Sequence, residues 1–241
     1  MTTKIGNNTS AVLSGKYTSA QAAEVLDVSA HQIVQLVHSG ELDAVRTAGG
    51  AFLLDATSVT DYARLRKGKG RPFSCSVAWA ALWLLSGLEI DWLTYQQRRR
   101  LLIKLRQINA EELVWLTRKR ARLLRIRVDE SFFDLARSLI TASGASADLR
   151  SDYRLTMASN RLEGYVDERD IDKLLRSCHA IADGESNSKL RIVSKNSPIS
   201  LTGGTEMPRA VVAVDLATSA VERERIAGLQ TLKELLRGQH C

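Results

Sequence analysis

Residues 17–65 read YTSAQAAEVLDVSAHQIVQLVHSGELDAVRTAGGAFLLDATSVTDYARL, and their turn residues cut them into five short elements. Thr18 or Ser19 accepts a hydrogen bond from a free backbone N–H of a first helical turn, so a helix begins there. Ala22, Ala23, Val25 and Leu26 form its apolar side, and the small alanines let a second helix approach closely. Asp27-Val28-Ser29 makes a turn, and Ser29 caps a second helix over Ala30–Ser39 that Gly40 stops in the left-handed region. Helical periodicity puts Ala30, Ile33, Val34, Leu36 and Val37 on one side of this helix. His31, Gln32, Gln35, His38 and Ser39 fall on the other. Ala44–Thr47 is then a short strand, Gly49-Gly50 permits a primed hairpin turn, and Ala51–Leu54 returns. Asp55 caps a third helix through Arg66, with Val59, Tyr62 and Leu65 facing inward.

Helix, turn, helix, hairpin and helix in that order predict a winged helix-turn-helix over residues 16–66, whose second helix fits the DNA major groove. Its outer face has base-reading chemistry. Gln32 and Gln35 can bond adenine in a bidentate way, and His31 and His38 can donate to guanine acceptors. Arg46 and Thr47 of the hairpin are candidate phosphate contacts, and Thr18 and Ser29 at the helix starts complete the expected set. Phosphate contacts supply most of the affinity of such proteins. The reading face carries no Lys or Arg, so dimerisation or basic help from elsewhere in the chain is expected.

The charge is distributed accordingly. The 241 residues carry a net charge of +7, yet residues 1–70 hold 7 basic and 6 acidic side chains. Residues 71–130 hold 12 and 6, and residues 131–241 hold 15 and 15. The basic excess therefore lies just beyond the predicted DNA reader. Residues 1–15 are polar and read as disordered. Residues 67–75 form a basic, glycine-rich linker in which Lys67, Lys69 and Arg71 are candidate DNA contacts. A helical middle segment follows. Ser76–Leu85 is nearly all apolar and must be buried. Thr94 caps a helix to about Gln107 with Leu101, Leu102 and Leu105 inside and Arg98, Arg99, Arg100, Lys104 and Arg106 outside. Asn109 caps another, AEELVWLTRKRAR, ending in Arg118, Lys119, Arg120 and Arg122. These runs are either solvated faces, partly explained by helix-dipole complementarity, or a surface for an acidic partner or nucleic acid.

The remainder reads as an α+β domain, so the fold class is α+β, with residues 76–241 as one helical plus α+β domain. Strands are expected at Leu123–Val128, Arg161–Val166, Leu190–Val193 and Ala210–Val214. Helices are expected at Glu130–Ile140 behind Asp129, from Ser143, at Asp167–Leu175, and from Ser219 to Arg237. The last carries an apolar stripe of Val221, Ile226, Leu229, Leu232, Leu235 and Leu236.

Catalytic chemistry is not evident. Asp170 and Asp172 have the spacing of a metal-binding carboxylate pair, but they lie in the first turn of a helix, where acids stabilise the N-terminus. Asp215 ends the AVVAVD strand without an evident partner and is read as capping the following turn. His31, His38, His179 and His240 form no relay, and Cys75, Cys178 and Cys241 have no ligand or disulfide spacing. No enzyme activity, cofactor or metal is expected. The longest apolar run, Val77–Leu88, is broken by Ser86 and Gly87 and is too short to span a bilayer. The first fifteen residues lack an apolar signal core, so a cytoplasmic location away from membranes is expected.

Two resemblances bear on function. The segment TSAQAAEVLDVSAHQIVQLVHSGELDAVR followed by Gly-Gly resembles the excisionase/MerR-type helix-turn-helix of bacteria and their phages. Its relatives commonly carry Arg or Lys at the positions of Ala30, Gln35 and His38. The rest of the chain, through SGASA, EGYVDERDIDKLL and VVAVDL, resembles the AbiEi-like antitoxins of bacterial type IV toxin–antitoxin systems. That resemblance implies a DNA-binding antitoxin that represses its own operon and neutralises a nucleotidyltransferase-type toxin. Its partners would be double-stranded operator DNA, the cognate toxin and a second copy of itself in a homodimer. An excisionase-like or other helix-turn-helix regulator without a toxin is the alternative, and a nucleotidyltransferase using Asp170 and Asp172 is a third.

Overall fold

The computed structural model describes residues 15–38, 41–66, 70–147, 161–181 and 186–238. The disordered start expected over residues 1–15, Ser39, Gly40, Lys67, Lys69, His240 and Cys241 fall wholly or largely outside these ranges. The fold is mixed α+β, and the chain divides between Lys67 and Gly68 into two compact units.

In unit 1, β1 (Lys16–Thr18) leads into α1 (Ser19–Leu26) and α2 (Ala30–His38). A hairpin of β2 (Ala44–Arg46) and β3 (Phe52–Asp55) is followed by α3 (Ala56–Arg66). The reason α1 starts at Ser19 is a closed capping box. The Gln21 N–H donates to Thr18 Oγ1 at 3.3 Å, and the Thr18 N–H donates to Gln21 Oε1 at 2.9 Å. The turn after α1 uses Asp27 in the left-handed region (φ 49°), and the Val28 N–H closes back on the Ala23 carbonyl at 3.1 Å. Ser58 N–H donates to Asp55 Oδ1 at 2.7 Å and so starts α3. Ala22, Leu26, Ile33, Leu36, Leu42, Leu54, Val59 and Tyr62 are buried together as the core of the unit.

Three details of unit 1 differ from expectation. β1 was not expected, because its three residues form a strand only through antiparallel pairing with β3, in sheet order β1-β3-β2. Val25 and Ala30, read as apolar-face residues, are exposed. The hairpin is not a two-residue primed turn. Thr47 pairs with Ala51 around a three-residue loop, and Gly50 alone takes positive φ (80°).

In unit 2 a four-stranded sheet has the order β4-β7-β6-β5. The strands are β4 (Arg122–Ile126), β5 (Thr141–Ala142), β6 (Leu162–Asp167) and β7 (Ser188–Val193). β6 and β7 run parallel, joined through α8 (Ile171–Ser177), and the outer pairs are antiparallel. Alternation along β6 and β7 gives the sheet two different faces. Leu162, Val166, Leu190 and Ile192 bury one face under α7 (Phe133–Leu139) and α8, in a core with Ile126, Phe133, Ile140 and Leu174. Glu163, Tyr165 and Arg191 point to the other face. There they meet α9 (Arg209–Ala217), which packs against α10 (Glu222–Gly238), α4 (Cys75–Leu85) and α6 (Ala110–Leu116). The helical middle and the end helices are thus one layer of a single unit. α5 (Tyr95–Leu105) packs mainly on α4 and buries only Leu101 and Leu105. Residues expected in the linker are held here too: the Phe73 N–H donates to the Leu116 carbonyl and Trp115 Nε1 to the Gly70 carbonyl at 2.7 Å.

Residues 210–214, expected as a strand, lie in α9. Every residue from Ala210 to Ala217 is buried. A helix buried on all sides has no polar face to reveal its period, so its Val-rich run mimics a strand. The helix expected to run to Arg122 stops at Leu116, and residues 118–120 form a 3-10 turn. The last helix begins at Glu222, so Val221 precedes it; Val221 and Ile226 are exposed, and the buried face of α10 is Glu224, Gly228, Thr231, Leu232 and Leu236. Gly228 sits against α9 so closely that a Cβ would lie 2.5 Å from the Ala213 carbonyl oxygen and the Ala217 nitrogen. Gly228→Ala forces the two helices apart and is expected to destabilise unit 2 by about 1–3 kcal/mol, read as a lower denaturant midpoint.

Candidate functional site

Two sites emerge, one exposed in unit 1 and one buried in unit 2. On α2, His31, Gln32, Gln35 and His38 are all exposed, as their spacing predicts. The turn residue Ser29 accepts the Gln32 N–H at 3.2 Å and so fixes where the helix begins. His31 Nε2 and Gln35 Nε2 lie 3.1 Å apart across one helical turn. His38 meets Phe52 of the hairpin edge to face (centroids 5.8 Å apart), and the Arg46 guanidinium lies 5.2 Å from the same ring. Phe52 therefore ties the end of α2 to the hairpin and holds the single basic residue of the hairpin beside the polar face. The Thr18 and Thr47 side chains have local work: Thr18 closes the cap, and Thr47 Oγ1 accepts the Ala51 N–H at 3.1 Å inside the hairpin loop.

The basic residues of unit 2 separate sharply. Arg98, Arg99, Arg100, Lys104, Lys119 and Arg122 are exposed, as is Arg71. Arg118 is half-buried, with its guanidinium 3.4 Å from the Trp115 ring centroid. Arg120, expected on this surface, is buried. The 3-10 turn that ends α6 swings it inward, where Nη2 pairs with Asp215 and Nε donates to the Tyr165 hydroxyl at 2.8 Å. Asp215 is correspondingly no mere turn cap. It also pairs with Arg191 Nε at 2.9 Å and accepts from the hydroxyls of Ser143 at 2.5 Å and Tyr165 at 3.1 Å. Arg191 Nη1 reaches Glu163 Oε1 at 2.8 Å, and Glu163 Oε2 accepts the Ala145 N–H at 3.1 Å.

Burial alone would raise the Glu163 carboxyl, but Arg191 and Lys189 outweigh it and hold it below the usual carboxylate range. Burial pushes the Tyr165 hydroxyl up, so it stays protonated and donates. The arrangement is a saturated ionic core, with each charge countered and hydrogen-bonded. Ser143 belongs to SGASA, Glu163 and Tyr165 to EGYVDERDIDKLL, and Asp215 to VVAVDL. The three segments meet at this one point. The sequence carries no local sign of it, because Glu163 and Arg191 stand in strands that hold other charged residues, Asp167 and Lys189.

Asp170 occupies the cap position of α8 and Asp172 its first turn. Among the described residues, no group of three His, Cys, Asp or Glu side chains is placed to hold a metal ion. Among the same residues, no helix is long and apolar enough to cross a membrane. No family model matches the chain, nor does any curated protein or solved structure.

Two outcomes follow from the ionic core. Asp215→Asn leaves Arg120 and Arg191 under-compensated and is expected to cost about 3–5 kcal/mol in chemical denaturation. Tyr165→Phe, which removes a donor to Asp215 and the acceptor of Arg120 Nε, is expected to cost about 1–3 kcal/mol. The pH dependence has a definite sign. A carboxyl held below its ordinary value of 4.5 contributes stability that is complete above that pH and lost as the pH falls below it. Glu163→Gln should therefore flatten the acid limb of the stability curve; an unchanged limb would contradict this assignment.

Proposed function

We propose that residues 16–66 form a winged helix-turn-helix that reads duplex DNA, with α2 as its reading helix, in an antitoxin that represses its own operon. The observation that carries the reading is the exposed face of His31, Gln32, Gln35 and His38. It lies beside a hairpin whose Arg46 is held in place by Phe52. Short amide and imidazole side chains at this spacing match base edges in the major groove. All four are exposed, and only His38 has a packing contact, on Phe52.

Neutralisation of a cognate nucleotidyltransferase-type toxin is assigned to unit 2. What supports it is the resemblance in SGASA, EGYVDERDIDKLL and VVAVDL, together with the meeting of these segments around Asp215. The role is that of a binding protein in the cytoplasm, acting on DNA and a partner protein, with no reaction of its own. Dimerisation would double the short contact surface of unit 1.

Gln32→Ala and Gln35→Ala should each weaken sequence preference by roughly 1–3 kcal/mol. Footprinting of the double variant checks this; an unaltered footprint would remove α2 as the reading element. Co-expression with the adjacent gene, followed by co-purification, tests the partner. Recovery of the chain alone from such a preparation would favour a regulator without a toxin.

A further inference from the structure

The exposed charge of α5 takes no part in the packing of unit 2. Arg98, Arg99 and Arg100 follow one another in the middle of the helix, and α5 contains no acidic residue to offset them. Arg100 and Lys104 are four residues apart, so their like charges repel along one ridge. None of these four basic side chains has an ion-pair partner among the described residues. Burial does not require them either, since only Leu101 and Leu105 of this helix are buried. The face is a concentration of positive charge, unpaired among the described residues, that suits a polyanion.

Unit 1 has the opposite character. Residues 1–67 hold 6 basic and 6 acidic side chains, so the proposed reader brings no net positive charge to DNA. We propose that the exposed face of α5 is a backbone-binding surface for duplex DNA, supplying phosphate contacts that unit 1 lacks. This rests on the reading of unit 1 as a DNA reader. Helical spacing lays out the face as two adjacent ridges, Tyr95–Arg99–Ile103 and Gln96–Arg100–Lys104. Arg, Lys and Gln are phosphate donors, and Tyr95, 80 % exposed, adds a hydroxyl. An acidic protein surface fits less well. Such an interface has an apolar centre, whereas Tyr95 and Ile103 here are separated by Arg99.

The test is the salt dependence of binding by the full chain to a labelled random-sequence duplex, measured by fluorescence anisotropy. The variant Arg99→Gln/Arg100→Gln/Lys104→Gln keeps the helical residue class and removes three charges. Its plot of log affinity against log salt should be shallower by about 3, with affinity on the order of 100-fold lower at physiological salt. A control variant, Lys173→Gln/Arg176→Gln/Lys195→Gln, removes the same charge from exposed positions elsewhere in unit 2. It should keep nearly the wild-type slope, and circular dichroism checks that both variants fold. An unchanged slope in the α5 variant overturns the proposal. So does an equal loss in both variants, which would reduce the effect to net charge. Unchanged DNA binding with loss of a co-purifying protein would overturn it in favour of an acidic protein partner. If the wild-type chain binds no duplex at all, the reading of unit 1 fails as well, an outcome distinct from failure at α5 alone.

Discussion

Asp215 sets the terms for unit 2. Its side chain is fully buried between two arginines, Arg120 from the turn after α6 and Arg191 from β7, with Ser143 and Tyr165 completing its shell. A carboxylate in that position is tolerable only if all these partners arrive together. The sheet therefore cannot be an apolar sandwich on both sides. One face packs like an ordinary core under α7 and α8, and the other is an ionic joint between sheet and helices. Such a joint is directional: an apolar layer can slide, whereas paired charges fix the register of α9 over β6 and β7. Trp79 of α4 packs on the Tyr165 ring with centroids 5.5 Å apart, extending that order into the helical middle.

The elements that sequence reading placed correctly have local causes. Thr18, Thr94 and Asn109 announce their helices because each closes a capping box within three residues. α1, α2 and the hairpin were legible because amphipathic periodicity and Gly-Gly are short-range signals. The failures share a long-range origin. β1 exists through pairing with residues far along the chain, and α9 is buried on every side. Arg120 looks like its neighbours Arg118 and Lys119 until the 3-10 turn points it inward. The polar face of α2 was visible residue by residue. The ionic core was not, because its members come from five separate segments and each looks bland in its own context.

Basic residues in this chain thus divide by environment rather than by sequence run. Arg120 and Arg191 are consumed by the fold, Arg118 lies on an indole ring, and the α5 group is left to solvent or to a ligand. Net charge taken by segment overstates what the surface offers. Unit 1, with 6 basic and 6 acidic side chains, contributes nothing to the net positive charge.

The ionic joint also orders events during synthesis. The pairing of Arg120 with Asp215 closes 95 residues of chain, and that of Ser143 with Asp215 closes 72. Unit 1 has no such dependence and can fold as soon as α3 clears the ribosome. In unit 2, Glu163 and Arg191 can pair once β6 and β7 meet, whereas Arg120 has no buried counter-charge until α9 emerges. The sheet can collapse on the apolar side first, whereas the helical layer is complete only when α9 and the α10 packed on it have both emerged.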